Sequence, residues 1–245
     1  MKVELLNPEI FDELFYNWGE TSSVCYDTHG RESQVGRHCL KSGHFSGSRG
    51  DYIKFKITEV PRFVIDQTVR HEVGVFKNVQ SFRYVDKDGF KYSIPKCLDH
   101  NAKLKNEYIA HMKDTEKLYD KIQDYVRSTG RTNEEANEQA RYVLPMSTES
   151  AFVIGFTLEA LIHFMHKRLC SRAEKPIRDL AILMRNAVLD KCVELNEYLV
   201  PECEYLMWCP EGKRGCGYKK SKKEIQDRMN FLESNIIKTG EHYEN

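Results

Sequence analysis

Four arginines carry the clearest chemistry in this 245-residue chain: Arg70, Arg83, Arg141 and Arg168. A guanidinium fork grips a phosphate through paired hydrogen bonds and stays charged at any working pH, so the set points to an anionic ligand. A lone arginine is more often a surface ion-pair partner. Two of these sit differently. Arg141 stands in Gln139-Ala140-Arg141-Tyr142-Val143-Leu144-Pro145, where an apolar run follows the charge at once. Arg168 follows Met165 on a segment that must pack inward. Both are expected at the edge of a core.

Other residues have metal-ligand character. Glu159, His163, His166 and Cys170 share one face if their segment is helical, and these are zinc-type donors. A site built on one helix needs help from elsewhere, and a solvated helix face explains the same pattern. Cys203, Cys209 and Cys216 lack a Cys-x-x-Cys knuckle, and Pro210, Gly212, Gly215 and Gly217 around them suggest a looped tail. Plain thiols stand there against a structural zinc or iron–sulfur role. The tail is also basic, with Lys213, Arg214, Lys219, Lys220, Lys222 and Lys223, which raises nucleic-acid binding. Glu211, Glu224 and Asp227 interrupt that charge without stacking aromatics, so a solvated helical end is the plainer account.

The elements that position these residues follow from patterning. Asp51 to Val60 alternates as a strand, and Pro61 opens a short helix over 62–70. Gln80 to Val85 is expected as a second strand, with Asp88-Gly89 turning into Phe90–Ile94. Residues 21–50 are polar and Gly/Ser-rich, expected as loop or short helix. Helical spacing covers Asn106–Arg127, Asn133–Tyr142, Ser150–Arg172 and Ile177–Leu199. In the third of these, Ile154, Leu158, Leu161, Ile162, Met165 and Leu169 form the core stripe. Thr157, Phe164 and Arg168 flank it on one side, and Glu159, His163, His166 and Cys170 on the other. Strands followed by helices give an α+β fold, an antiparallel or mixed sheet packed with long helices in a single domain. That domain is expected over residues 1–200, with a Cys- and Lys-containing extension over 201–245.

Composition adds exclusions. Formal net charge is zero and hydrophobic residues make up 40%, so there is no general pull towards nucleic acid. No apolar run is long enough for a bilayer, and the Met1–Glu9 start has no apolar signal core. A cytoplasmic protein is expected, with its eight cysteines as thiols.

Ordered motifs narrow the function. The stretch from Gln67 to Tyr84 opens with Arg70-His71 and closes with Asn78-Val79-Gln80-Ser81-Phe82-Arg83-Tyr84. Gly43-His44-Phe45-Ser46 precedes it. Ala140-Arg141-Tyr142-Val143-Leu144-Pro145, His163-Phe164-Met165-His166-Lys167-Arg168 and Arg172-Ala173-Glu174-Lys175-Pro176-Ile177 follow. Together they resemble the flavin-dependent thymidylate synthases over more than half the chain. Cys209-Pro210-Glu211-Gly212 and Cys216-Gly217 resemble an extension found in some of its members.

The resemblance implies reductive methylation of dUMP to dTMP, with FAD as cofactor and methylenetetrahydrofolate and NADPH as co-substrates. It assigns dUMP to Gln67, Arg70, Gln80, Ser81, Arg83, Arg141 and Arg168. Arg168 lies beside the uracil as the catalytic residue, because a nearby cation favours the ionised ring. It assigns FAD to Ser46, Arg70, His71, Glu72, Asn78, Thr157, Glu159 and His163, and no metal. A homotetramer with sites shared between subunits is also implied. The chain departs from the family pattern at Glu72, where arginine is usual, and at Gln80, where an acid is usual. A mid-motif serine is replaced by Val75 or Phe76, and the spacer from His71 to Asn78 is one residue longer. These departures keep open a same-fold relative, such as a nucleotide hydroxymethylase or an inactive paralogue.

Overall fold

The computed structural model describes residues 1–25 and 27–240, with side chains described as far as Phe231. Strands are β1 (Lys2–Leu5), β2 (Ile53–Pro61), β3 (Val75–Val79) and β4 (Glu149–Phe156). Helices are α1 (Ile10–Ser23), α2 (Glu32–Ser42), α3 (Arg62–Thr68), α4 (Ala102–Ser128), α5 (Asn133–Ala140), α6 (Leu158–Arg168), α7 (Lys175–Leu189), α8 (Glu202–Tyr205) and α9 (Lys222–Gly240). The class is α+β, as expected. The chain divides into two compact units, one of Met1–Ile10 with Gly50–Thr157, the other of Phe11–Arg49 with the chain from Leu158 onward.

The first unit holds the sheet, ordered β1-β2-β4-β3 with every pairing antiparallel. Phe55 pairs with Ile154 and Ile57 with Phe152, and all four side chains are buried. The register slips between Ile57 and Val60, at a bulge where Glu59 takes a φ of 55°. Pro61 ends β2 and caps α3 rather than entering it.

Two expectations are corrected here. Ser150–Arg172 is not one helix: β4 fills its first part, and α6 starts only at Leu158. Phe152, Ile154 and Phe156 are buried at a spacing of two, and β4 bonds to a strand on each side. Short apolar runs satisfy both periods, and the β-forming residues decided this one. The second strand lies earlier than expected, at Val75–Val79 instead of Gln80–Val85. Gln80 N–H still donates to the Ala151 carbonyl, but Val85 N–H then turns back to Ser81. Phe90–Ile94 makes only the Tyr92–Thr148 bridge. The N-terminal strand β1 was not expected, since its alternation covers only the four residues Lys2–Leu5.

α4 and α5 complete this unit. Asn101 caps α4, its Oδ1 accepting from Leu104 N–H at 3.1 Å, and Thr132 with Glu135 forms a reciprocal capping box on α5. A polar network lies between these helices and residues 83–87. Gln123 Nε2 donates to Asn137 Oδ1 (2.6 Å) and Asp86 Oδ1 (2.8 Å), and Lys87 N–H donates to the Tyr119 hydroxyl (3.1 Å). Burial works against the Asp86 charge, and donation from Gln123, the Asp88 N–H and Tyr119 outweighs it, leaving its pKa below the ordinary value.

Burial also pushes the Tyr119 phenol from 10.0 up to about 12. A raised folded-state pKa contributes stability that is intact below pH 10.0 and lost as pH rises towards about 12. We therefore expect unfolding free energy from urea titrations to fall across that window, and to fall less steeply in Tyr119→Phe. Equal slopes for the two proteins would mean the phenol is not held neutral by the fold.

The second unit is helical. α1 buries Phe11, Leu14, Phe15 and Trp18. α2 crosses α1 at two glycines, since a Cβ on Gly19 would stand 1.7 Å from the Glu32 carbonyl oxygen and one on Gly36 2.0 Å from that of Phe15. Residues 21–50, expected as loop or short helix, thus contain eleven residues of ordered α2. α6 buries Leu158, Leu161, Ile162, Phe164 and Met165. Phe164 therefore belongs to the core rather than to a flank, and Thr157 lies off the helix altogether. α7 ends at Leu189, short of the expected Leu199, because Cys192 turns to φ −142° and ψ 87°. A 3₁₀ turn, Val193–Glu197, follows and buries Leu195. Among the described residues no helix is long and apolar enough to cross a membrane.

Candidate active site

In the first unit the expected residues gather around β3 and the C-terminal end of α5. Gln67 is half-buried near the end of α3, and Arg70, His71 and Glu72 form the turn that leads into β3. Gly74, with φ 70°, accepts from the buried Thr157 N–H at 2.8 Å and so pins the turn to the end of β4. Lys77 Nζ bonds the Val69 carbonyl and, at 3.0 Å, that of His71. Glu72 is exposed, and among the described residues no ion pair engages it. A lysine thus supplies positive charge to the turn whose own third position is an acid. Asn78 is exposed on β3, an edge strand of the sheet.

The next turn is held from inside. Gln80 Oε1 accepts from Lys87 Nζ at 2.8 Å and from Ser150 Oγ at 3.4 Å, so its carbonyl is committed within the fold. Burial lowers the Lys87 pKa. Ser81 Oγ accepts the Arg83 N–H at 3.3 Å. Phe82 lies under two cations, Arg62 at 5.6 Å and Lys87 at 4.6 Å from its ring centre.

Arg83 reaches α5 twice. Its carbonyl accepts from Asn137 Nδ2 at 3.1 Å, and its Nε lies 3.1 Å from Glu138 Oε2. Arg141 caps the same helix, three residues beyond Glu138, and is exposed. Two of the four arginines are therefore attached to one helix end, Arg83 through Asn137 and Glu138 and Arg141 as its C-cap, where the peptide dipoles favour cations. Patterning along the sequence missed Asn137, Glu138, Lys77 and Lys87. Polar Gln123 and Asn137 on buried helix faces were the available signal.

The other expected residues belong to the second unit. Ser46 is exposed in the 3₁₀ turn Phe45–Gly50. Glu159 opens α6, and its Oε2 accepts from Arg49 Nε at 2.8 Å. His163 follows one turn later on the surface, and half-buried Arg168 ends the helix. The stripe of possible metal ligands does not survive as a set. Glu159 is paired with Arg49, and His166 packs on Tyr205 with ring centres 4.9 Å apart. Burial lowers the His166 pKa. Cys170 lies past the helix end, lining a cavity with Cys203, Cys209 and Cys216.

Comparison with known proteins gives a consistent family. A family model described as thymidylate synthase complementing protein matches residues 15–192. A flavin-dependent thymidylate synthase of Nitratidesulfovibrio vulgaris is 37% identical over 179 residues, 73% of each chain. One of Clostridium tetani is 34% identical over 195 residues, 76% of this chain and 77% of its own. One of Thermococcus onnurineus is 29% identical over 225 residues, 86% and 87% of the two chains.

Proposed function

We propose the reaction from one premise: the chain belongs to the flavin-dependent thymidylate synthase family. It is an enzyme of nucleotide biosynthesis that converts dUMP to dTMP, with FAD as cofactor. Methylenetetrahydrofolate supplies the one-carbon unit and NADPH the reducing equivalents. The bound flavin supplies the hydride chemistry. This chain's residues bind and align the reactants.

The observation that carries the reading is that Arg83 and Arg141 are both tied to the C-terminal end of α5, one through Asn137 and Glu138 and the other as the cap. Two guanidiniums with their backbones fixed there suit the phosphate of a nucleotide monophosphate. Gln67, Arg70, Gln80 and Ser81 complete the dUMP group in this proposal. Gln80 acts through its amide donors, since its carbonyl is already occupied. Arg168 stands beside the uracil and favours loss of its ring proton.

The donor set around the Arg70 turn fits a flavin nucleotide. Arg70 offers a guanidinium, His71 an imidazole and Asn78 an exposed amide, while Thr157 holds the turn in place. Ser46, Glu159 and His163 are further proposed flavin contacts. Glu72 is solvent-facing, and the Lys77 ammonium beside the same turn offsets its charge. That arrangement supports activity despite the missing arginine, and hydroxymethylating or inactive alternatives are not favoured. The nucleic-acid alternative is weakened in the same way, since Lys219 pairs with Glu204 at 3.3 Å.

A homotetramer with sites shared between subunits goes with this proposal, supported by the exposure of Arg70, Arg141 and Tyr142 in a single chain. So does a cytoplasmic location, which suits eight cysteines standing as thiols. A core over 1–200 with an extension over 201–245 agrees with a family match that ends at residue 192.

The purified protein should be yellow, or become so with FAD, and should form dTMP from dUMP when methylenetetrahydrofolate and NADPH are added. Its solution mass should be that of four chains. Flavin binding without dTMP formation would reject the synthase reading. A monomer of full activity would reject the shared site.

A further inference from the structure

The family match stops at residue 192, yet the chain beyond it brings three cysteines to a fourth inside the matched part. Cys170 follows the end of α6, Cys203 lies in α8, and Cys209 and Cys216 flank the 3₁₀ turn Gly212–Arg214. All four line one cavity of 340 Å³. The backbone is arranged to bring them there. Cys209 N–H donates to the Lys220 carbonyl at 2.9 Å, and Cys209 bridges to Ser221, which closes the loop carrying Cys216. Arg172, two residues after Cys170, donates from Nη1 to the Arg214 carbonyl and ties the two segments together. The loop passes so close that a Cβ on Gly215 would stand 2.9 Å from Cys209 Sγ. Gly212 and Gly217 take φ of 55° and 86°, which suits glycine on either side of a tight seat.

We propose that Cys170, Cys203, Cys209 and Cys216 form a tetrathiolate site for one thiophilic divalent ion of the zinc class. Four sulfurs from separate turns match the tetrahedral closed coordination of structural zinc. Binding would release the four thiol protons and leave a centre with net charge of about −2. Arg168 and Arg172 line the same cavity and offset that charge against Glu211, while Lys167 pairs with Glu202 and Lys219 with Glu204. Among the described residues, no three His, Cys, Asp or Glu side chains stand ready-made around an ion. The ion must therefore draw the thiols inward by side-chain rotation and a small movement of the Gly212–Gly217 loop. Once closed, the site would fasten the end of α6, and with it the backbone that carries Arg168.

The test uses the full chain, purified without chelator and assayed for metal by mass spectrometry. About one zinc per chain is expected. Cobalt(II) added to the stripped protein should give the intense visible bands of tetrahedral cobalt, with sulfur-to-metal charge transfer in the near ultraviolet. The double variant Cys203→Ser, Cys216→Ser should lose both metal and spectrum, while Cys97→Ser should keep them. The cobalt titration of the parent protein decides the case even if the double variant misfolds. No bound metal after zinc loading, an octahedral cobalt spectrum, an iron–sulfur cluster with labile sulfide, or full retention of metal by the double variant would overturn the proposal.

Discussion

Arg168→Lys is expected to slow dTMP formation about ten- to a hundredfold and to weaken dUMP binding, while leaving the thermal midpoint near that of the parent. The residue ends α6 half-buried, beyond a helix whose Leu161, Phe164 and Met165 are fully buried. Its position is therefore fixed by core packing. Lysine keeps the charge but not the planar fork, so geometry rather than net charge is what the substitution removes. A charge-assisted hydrogen bond at a desolvated site is worth about 1.5–3 kcal/mol, which sets the size of the rate effect. Single-turnover rates and dUMP titration calorimetry separate the two roles. A loss of affinity alone would make Arg168 a binding residue, and parent values in both would remove it from the site. Arg214→Lys, on the exposed tail, serves as the control and should change neither.

The order of elements explains why the sequence led partly astray at this helix. Ile154, Leu158, Leu161 and Met165 do fall on one helical stripe, yet Ile154 belongs to a strand. Its neighbours Phe152 and Phe156 are buried with it at a spacing of two, a signal that needs the pairing partners β2 and β3 to be decisive. The place of Arg168 at the edge of a core survived the correction, but the argument from a shared flank with Thr157 and Phe164 did not. β2 was legible because Ile53, Phe55 and Ile57 alternate cleanly with exposed Lys54 and Lys56. β1 was not, because four residues carry too little pattern.

The site divided along the same line. Arg83 and Arg141 are far apart in sequence, and their motifs alone marked them. That Arg83 is tied to the helix Arg141 caps follows from Asn137 and Glu138, which no spacing rule singles out. Glu72 was the chief departure from the family pattern, and the Lys77 ammonium on the carbonyls of Val69 and His71 became visible only once β3 was placed correctly. With the strand expected at Gln80–Val85, Lys77 had no assigned neighbour. The three tail cysteines were readable as thiols in a looped segment. Their convergence with Cys170 depends on long-range backbone bonds that local patterning cannot supply.

Asn137→Leu should be the most destabilising of the polar substitutions, at about 2–4 kcal/mol, and should also raise the dUMP concentration needed for half-maximal rate. Leucine matches asparagine in size but takes one hydrogen-bond partner from each of two groups in a buried setting. The Arg83 carbonyl loses its donor at 3.1 Å, and Gln123 Nε2 loses an acceptor at 2.6 Å. An orphaned buried group costs about 1–3 kcal/mol, and Asp86 and the Tyr119 hydroxyl remain to satisfy Gln123, which keeps the sum below the maximum. Glu138→Gln isolates the other contact. It removes a half-exposed ion pair worth about 0–1 kcal/mol, so stability should hardly change. Urea unfolding of both variants gives the stability terms, and dUMP titrations give the affinity. Asn137→Leu as stable as the parent would mean the network adds nothing to the fold. Strong destabilisation with unchanged dUMP affinity would detach Arg83 from the nucleotide, because its backbone would have been released without consequence for binding.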